Sequence, residues 1–418
     1  MINKVLSVTR KYPSQYWLMF VGMLISTTGA SMIGPFLMIY VSEKLNMPLT
    51  QIASLTTINA GVGLLFNFIA GTATDKIGRK WVMVISLLGN CAFYLLLGNA
   101  TTYGGYAIAM ALSGMFSPLY RVGADAMLAD IIPMDQRSEA YSVMRMSNNL
   151  GISLGPTIGG FIAMQSYTAA FYLAASGMVI YGILIAVFAR ETLPGQKSSS
   201  PQLSVKETGG YRNLLKDKHY LSFVSAFTFS QLTLSMMWVL LSVYAKTNYN
   251  IPEQQYGFIA GTNAMMVVLF QFGVNKITRR YEPLKVMIIG ALFFGVGVGS
   301  VALGASFWAF WLSMVIMTIG ELILVPTTTT YAANQAPPDL RGRYMSIYSL
   351  SWGTASGIGP IFGGFLNDNF GPRFIWIGGF ISGMISATWF SVLSRKKQRS
   401  DQSTDTIINS PASNIGPI

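Results

Sequence analysis

Apolar residues come along this chain in long runs parted by short polar breaks. A hydrocarbon core of ~30 Å takes about 20 helical residues. Runs of that length fall at 15–42, 51–74, 81–100, 104–132, 138–165 and 168–189, and again at 219–245, 253–275, 283–304, 307–333, 343–366 and 372–394. The pattern predicts an all-α polytopic membrane protein with 12 transmembrane helices and both termini on one side. Two longer polar stretches set the divisions. Residues 190–218, with "SSSP", "TGG" and six basic residues, read as a cytoplasmic linker. Residues 395–418 read as a disordered cytoplasmic tail. Six-helix bundles are expected at 15–189 and 219–394, after a cytoplasmic N-terminus at 1–14.

Composition agrees. Of 418 residues 52% are hydrophobic and 11% charged, against about 25% charged in a soluble domain. The net charge of +12 would suggest nucleic acid in a soluble protein, so the placement of the charges decides. Of 28 Lys and Arg, 23 fall on the side of the termini, Lys44, Lys246 and Arg373 fall on the other, and Arg121 and Arg145 lie inside spans. Such asymmetry marks the side of the termini as cytoplasmic in a multi-pass inner-membrane protein, with no nucleic-acid partner. The single cysteine, Cys91, excludes an intrachain disulfide. The first apolar run is too long for a signal peptide's core and lacks a cleavage site, so no cleaved leader is expected.

The chain repeats itself. "DKIGRK" at 75–80 returns as "NKITRR" at 275–280, and residues 133–161 align without gaps to 337–365, ten of 29 positions being identical. The shared "PxDxR" and "GPxxGGF" flank and fill helices five and eleven, so the two halves run in parallel. Parallel six-helix halves with a midplane site between them are the arrangement of the major facilitator superfamily.

Three stretches carry that resemblance. "GTATDKIGRK" at 71–80 resembles the superfamily's signature after helix two, departing at Ala73 and Thr74. Gly151, Gly155, Pro156, Gly159 and Gly160 in helix five resemble the motif of its drug/proton antiporter branch. Arg121 in helix four resembles the buried arginine of a third motif, although Asp125 stands where glycine is usual. The resemblance covers residues 10–395. It implies a secondary transporter working by alternating access, with cavity residues on helices one, four, seven and ten.

Asp75 ends helix two, where the helix dipole disfavours an anion, so it needs a cation or another helix's N-terminus. Arg79 is the near candidate and Asp130 a third member, with Gly71 permitting close approach and Gly78 making the turn. In related transporters such a cluster latches the halves while the cavity faces outward. Asp75 corresponds to Asn275 and Asp130 to Asn334, while Arg79 stays as Arg279, so only one half has the latch. The bland alternative makes these charges topology signals alone.

A charge within a membrane span is costly and is by default a functional hypothesis. Glu321, midway along helix ten with no cation in its helix, is the candidate proton carrier, with Asp125 and Arg121 of helix four as further proton-coupling candidates. The alternative is a neutral acid bonded to a neighbouring helix. Arg121 and Asp125 share a face of helix four, as an ion pair would, and Asp130 is turned about 140° from Asp125. Arg145 either meets Asp125 or reaches to the cytoplasm. Glycines four apart in helix five favour close helix packing, and the resemblance places this helix against its second-half counterpart. Pro156 and Pro360 are expected to kink.

For the substrate cavity the candidates are Thr27, Thr28, Ser31, Tyr120, Arg145, Asn149, Gln231, Trp238 and Thr328, with Met236 and Met237 as an adaptable wall. Helix one has no carboxylate for cation selection. His219 reads as solvated. No phosphate-cradling loop, metal cluster or hydrolytic triad is visible, so neither cofactor, metal, ATP-driven step nor enzyme is expected. The expectation is a monomeric proton-coupled exporter of small lipophilic compounds whose partners are its substrate, protons and the lipid bilayer. A symporter or uniporter for a sugar, organic acid or other metabolite, and a non-transporting sensor on the same fold, stay open.

Overall fold

The computed structural model describes residues 11–193, 214, 216–337 and 340–408. The first half holds α1 (Ser14–Leu45), α2 (Leu49–Ile77), α3 (Arg79–Asn99), α4 (Tyr103–Ile131), α5 (Arg137–Ala163) and α6 (Tyr167–Phe188). The second holds α7 (Lys218–Tyr249), α8 (Glu253–Thr278), α9 (Pro283–Ser300, ending in a 3-10 turn), α10 (Phe307–Gln335), α11 (Arg341–Phe370) and α12 (Phe374–Ile408). Among the described residues nine helices are long and apolar enough to cross a membrane. The other three, α4, α5 and α11, are those carrying intrahelical charges or the glycine-proline stretches. Large apolar side chains such as Phe68, Phe272 and Leu303 stand exposed on the outside.

Turn chemistry sets the helix ends. α1 and α7 each stop at an asparagine in the left-handed region, Asn46 at φ 47° and Asn250 at φ 53°, and each is followed two residues later by a proline that caps the next helix. Asparagine tolerates this conformation better than other residues with a Cβ. The two corners are a further copy of the repeat. Gly78 turns the chain from α2 into α3 at φ 104°, where L side chains are rarely found.

At the C-terminal side residues 395–408 continue α12 as helix. Arg, Lys and Gln predominate just past the span, and no Gly or Pro stops the helix there. The linker is described only at its two ends, and residues 409–418 lie outside the described residues.

Within each half, helices that run in the same direction pack together, α1 on α5 and α2 on α4 in the first, α7 on α11 in the second. The halves meet through α2 against α11, α5 against α8, and α1 against α7. The end of the bundle holding the 77–79, 131–137, 278–283 and 335–341 turns is here the basic end; the other is the neutral end.

A one-ended cavity and its gates

The repeated "GPxxGGF" builds the closed end. In α5, a Cβ on Gly155 would meet Ser31 of α1 at 2.5 Å, and one on Gly160 would lie 2.7 Å from the Glu253 carbonyl oxygen of α8. In α11, Gly359 faces Ser235 of α7 in the same way, and a Cβ on Gly364 would lie 2.8 Å from the Cα of Thr50 on α2. In each half one glycine seats a helix of its own half and another seats a helix of the opposite half. The expected contact of α5 with its counterpart α11 is therefore corrected: Gly151, Gly155 and Gly159 lie against α1, and only Gly160 and Pro156 face the second half, at α8. The cause is where the missing side chains fall. Glycines four apart share one face, and that face points into the first half.

Hydrogen bonds tie this end across the halves. The Tyr167 hydroxyl donates to Glu253 Oε1 at 2.5 Å, and Lys246 Nζ lies 3.0 Å from the same oxygen. The Thr57 hydroxyl donates to the carbonyl of Gly357. Asp368 accepts from the backbone N–H groups of Leu49 and Thr50. Asp368 lies beyond the apolar span 343–366; burial pushes its carboxyl up, but the Thr50, Asn367 and Leu49 hydrogen bonds outweigh this and hold it below its ordinary value.

Toward the basic end lies a cavity of about 820 Å3, lined from α1 to α6 alone. Thr27, Ser31, Tyr120, Arg121, Asp125 and Arg145 line it. Arg121, Asp125 and Arg145 are exposed there, whereas Met110 on α4 is buried deeper in, roughly 16 Å from Arg121 along the helix at 1.5 Å per residue. Charge sits at the mouth, and the lining deeper in is largely apolar, with Phe93, Tyr94 and Met110, together with Asn59, which donates to the Met110 carbonyl at 3.1 Å.

The charges do not pair as their spacing suggests. Arg121 Nη2 donates to Asn67 Oδ1 at 2.7 Å, and among the described residues no ion pair joins it to Asp125. Arg145 has neither hydrogen bond nor ion pair among the described residues and does not meet Asp125. Asn67 was missed by sequence reading, although an amide in an apolar run is a signal of the same kind as a charge.

The remaining cavity candidates lie elsewhere. The Thr28 backbone nitrogen is 3.0 Å from where a Gly151 Cβ would be, so it belongs to the α1–α5 seam. Asn149 is a helical step from the cavity residue Asn148 and outside the lining. Thr328 is buried and shares a hydrogen bond of 3.0 Å with Tyr348. Gln231 is buried with both amide atoms unpartnered, and Trp238 packs against the second-half core with Met236 and Met237. Of these second-half residues Gln231, Thr328, Met236 and Met237 are buried, and Trp238 is half-buried. His219 is not freely solvated: its Nε2 lies 2.8 Å from the Tyr331 hydroxyl.

Glu321 is in the second half, outside the cavity lining. Its Oε2 accepts from Asn263 Nδ2 of α8 at 2.7 Å, and Asn263 also donates to Thr318 at 2.9 Å. Its bonded neighbour is thus a neutral amide.

At the basic end Arg79 Nε lies 3.1 Å from Asp130 and Nη2 lies 3.6 Å from Asp75. The linker joins this cluster. Glu191 accepts from the N–H groups of Arg79 and Lys80, the first turn of α3, which has no side-chain cap of its own, and the Thr192 hydroxyl donates to Asp130. Asp75 is 74% exposed, and Arg79 Nη1 is buried without a partner. A Cβ on Gly71 would meet nothing within 4 Å, so the close approach expected there is absent in this conformation.

The sequence profile of the Major Facilitator Superfamily matches residues 19–234 and 223–414. The chain belongs to that superfamily. It is a multi-pass integral membrane transporter and not an enzyme. It is 24% identical to the uncharacterized transporter YhjO of Bacillus subtilis, over 90% of this chain and 92% of that protein. A Na(+), Li(+), K(+)/H(+) antiporter of Planococcus maritimus is 25% identical over 90% and 96%. The quinolone resistance protein NorA of Staphylococcus aureus is 22% identical over 89% and 95%. Among solved structures the nucleoside transporter NupG superposes with a TM-score of 0.79 at 12% identity, covering 91% of this chain and all of that one, which shows a shared fold.

Proposed function

We propose that the chain is a proton-coupled exporter of small amphipathic compounds, acting by alternating access in the cytoplasmic membrane with both termini inside. The observation that carries this is the one-ended cavity: closed at the neutral end by bonds between the halves, exposed at the basic end, and graded from charged mouth to largely apolar interior. Its volume is that of a drug-sized site. The conformation is one that loads from the side carrying the basic loops. Similarity to NorA and to a cation/proton antiporter supports export in exchange for protons. Glu321 then carries the proton in the second half, apart from the cargo in the first, so coupling runs through the shared change of conformation.

A second reading, uptake or exchange of an anionic metabolite, is favoured by Arg145, which has no ion pair among the described residues. Proteoliposomes holding a pH-sensitive dye separate the two. Proton movement answering lipophilic compounds supports the exporter, a response restricted to organic acids supports the second reading, and silence to both removes the transport reading.

A further inference from the structure

The duplicate of the basic-end charge cluster is a bare cation beside a cavity. In the second half Arg279 occupies the position of Arg79, while Asn275 and Asn334 replace the two acids. A cavity of about 240 Å3 opens there between α8, α9 and α10, lined by Arg279 with Asn275, Asn334, Thr278, Thr330 and Tyr281. Arg279 is exposed and has neither hydrogen bond nor ion pair among the described residues. The oxygen of the Asn275 amide is already taken by Gln271 at 2.9 Å, which leaves its NH2 to donate.

The nearby carboxylates among the described residues are engaged. Glu282 pairs with Lys285 at 3.4 Å, and Asp217 caps α7 and accepts from Tyr344. A guanidinium flanked by hydroxyls and an amide NH2, with no acid in ion-pair distance among the described residues, is a set of donors for a phosphate group. Its surroundings indicate where that phosphate comes from. Phe272, Ile277 and Tyr281, on or next to the last turns of α8, are 84%, 59% and 64% exposed. Phe272, seven residues before Arg279, shares its helix face, and Tyr281 lines the cavity, so these two provide an apolar flank beside the cation at the end of the bundle where the basic loops lie.

We propose that this cavity binds the phosphate of an anionic phospholipid, with Arg279 on the headgroup and the acyl chains along Phe272 and Tyr281. The site lies outside the transport cavity and does not depend on what that cavity carries. In the first half Asp75 and Asp130 fill the corresponding space around Arg79, so one lipid is bound rather than two.

Native mass spectrometry of delipidated protein titrated with dioleoyl phosphatidylglycerol tests this. The wild type should retain one phosphatidylglycerol more than Arg279→Gln, with affinity at that site weakened by about tenfold or more. Restoring the first-half acids in Asn275→Asp/Asn334→Asp should remove the same lipid while leaving the melting temperature and the remaining bound lipids unchanged. Retention as in the wild type by both variants overturns the proposal. Displacement of the lipid by inorganic phosphate at similar concentration would reassign the site to soluble phosphate and overturn the lipid as its occupant.

Discussion

Asp368 closes the neutral end by holding Thr50 across the interface between the halves. One carboxylate oxygen accepts from the Thr50 N–H at 2.9 Å and from its hydroxyl at 2.6 Å, while the other accepts from the Leu49 N–H at 3.1 Å. α2 begins at Pro48 with no side-chain cap and no acid in its first turn. Its free N–H groups and positive dipole end are answered from the other half. α8, which begins at Pro252, instead carries Glu253 within its own first turn.

Asp368→Asn puts an NH2 among N–H donors and should loosen this end. Loss of a helix cap costs roughly 0.5–2 kcal/mol, a two- to thirtyfold change in the ratio of the two states. Electron paramagnetic distances between labels on the neutral ends of α2 and α11 would lengthen in that proportion. An unchanged distribution would deny Asp368 its role.

The same bond sets a pH window. The carboxyl is held below its ordinary value of 3.8 when engaged. Its stabilisation is therefore complete above that value and is lost as the pH falls through the lower, engaged value. The α2–α11 distance should stay constant between pH 5 and 8, so protons in the physiological range act elsewhere; a shift within that window would contradict this.

Asp75→Asn should raise the fraction of molecules open at the basic end. In the present conformation Asp75 is largely exposed and Arg79 keeps one buried nitrogen without a partner among the described residues. A coupling of roughly one to three kcal/mol corresponds to a five- to 150-fold change in the state ratio. Labels at the basic ends of α4 and α10 would report it, and no change at normal protein yield would return the motif to a topology signal.

A methyl group should act as a wedge where backbones touch. Gly364→Ala would place its Cβ 2.8 Å from both N and Cα of Thr50. The expected result is faster modification of cysteines introduced near Thr50 from the neutral side. Gly61→Ala, with nothing within 4 Å, is the control and should behave as wild type. Equal modification rates in the two variants would refute the wedge.

Glu321→Gln should abolish uphill transport by removing the proton site while leaving cargo binding and downhill exchange measurable. The Asn263 hydrogen bond at 2.7 Å survives the substitution, because the amide oxygen still accepts. Wild-type uphill rates in proteoliposomes would rule out Glu321 as the carrier, and Asp125→Asn is the comparison at the cavity mouth.

Twelve spans, their order and the tandem repeat were legible because hydrocarbon thickness imposes a length on every helix and the repeated words are long. The cavity was legible only by half. Thr27, Ser31, Tyr120, Arg121, Asp125 and Arg145 line it, while Gln231, Trp238 and Thr328 are packed inside the second half. A polar residue in an apolar span marks a cost that must be met, and the sequence does not say whether a cavity, a ligand or a neighbouring helix meets it. The gate residues were illegible for another reason. Asp368, Glu253 and Tyr167 stand at helix ends, where charges and hydroxyls are ordinary, and only the meeting of the two halves makes them partners.

That meeting has a consequence for the ancestry of the chain. At the closed end, Asp368 has Met164 as its counterpart in the first repeat, and Glu253, placed by the prolines before it, has Leu49. The duplicated units have thus diverged into complementary halves. Two copies of the first would make a bundle of the right outline with neither carboxylate to shut it, and two copies of the second would lack Thr50 and Tyr167. The once interchangeable twins are now obligate partners, which is reason enough for one gene to encode both.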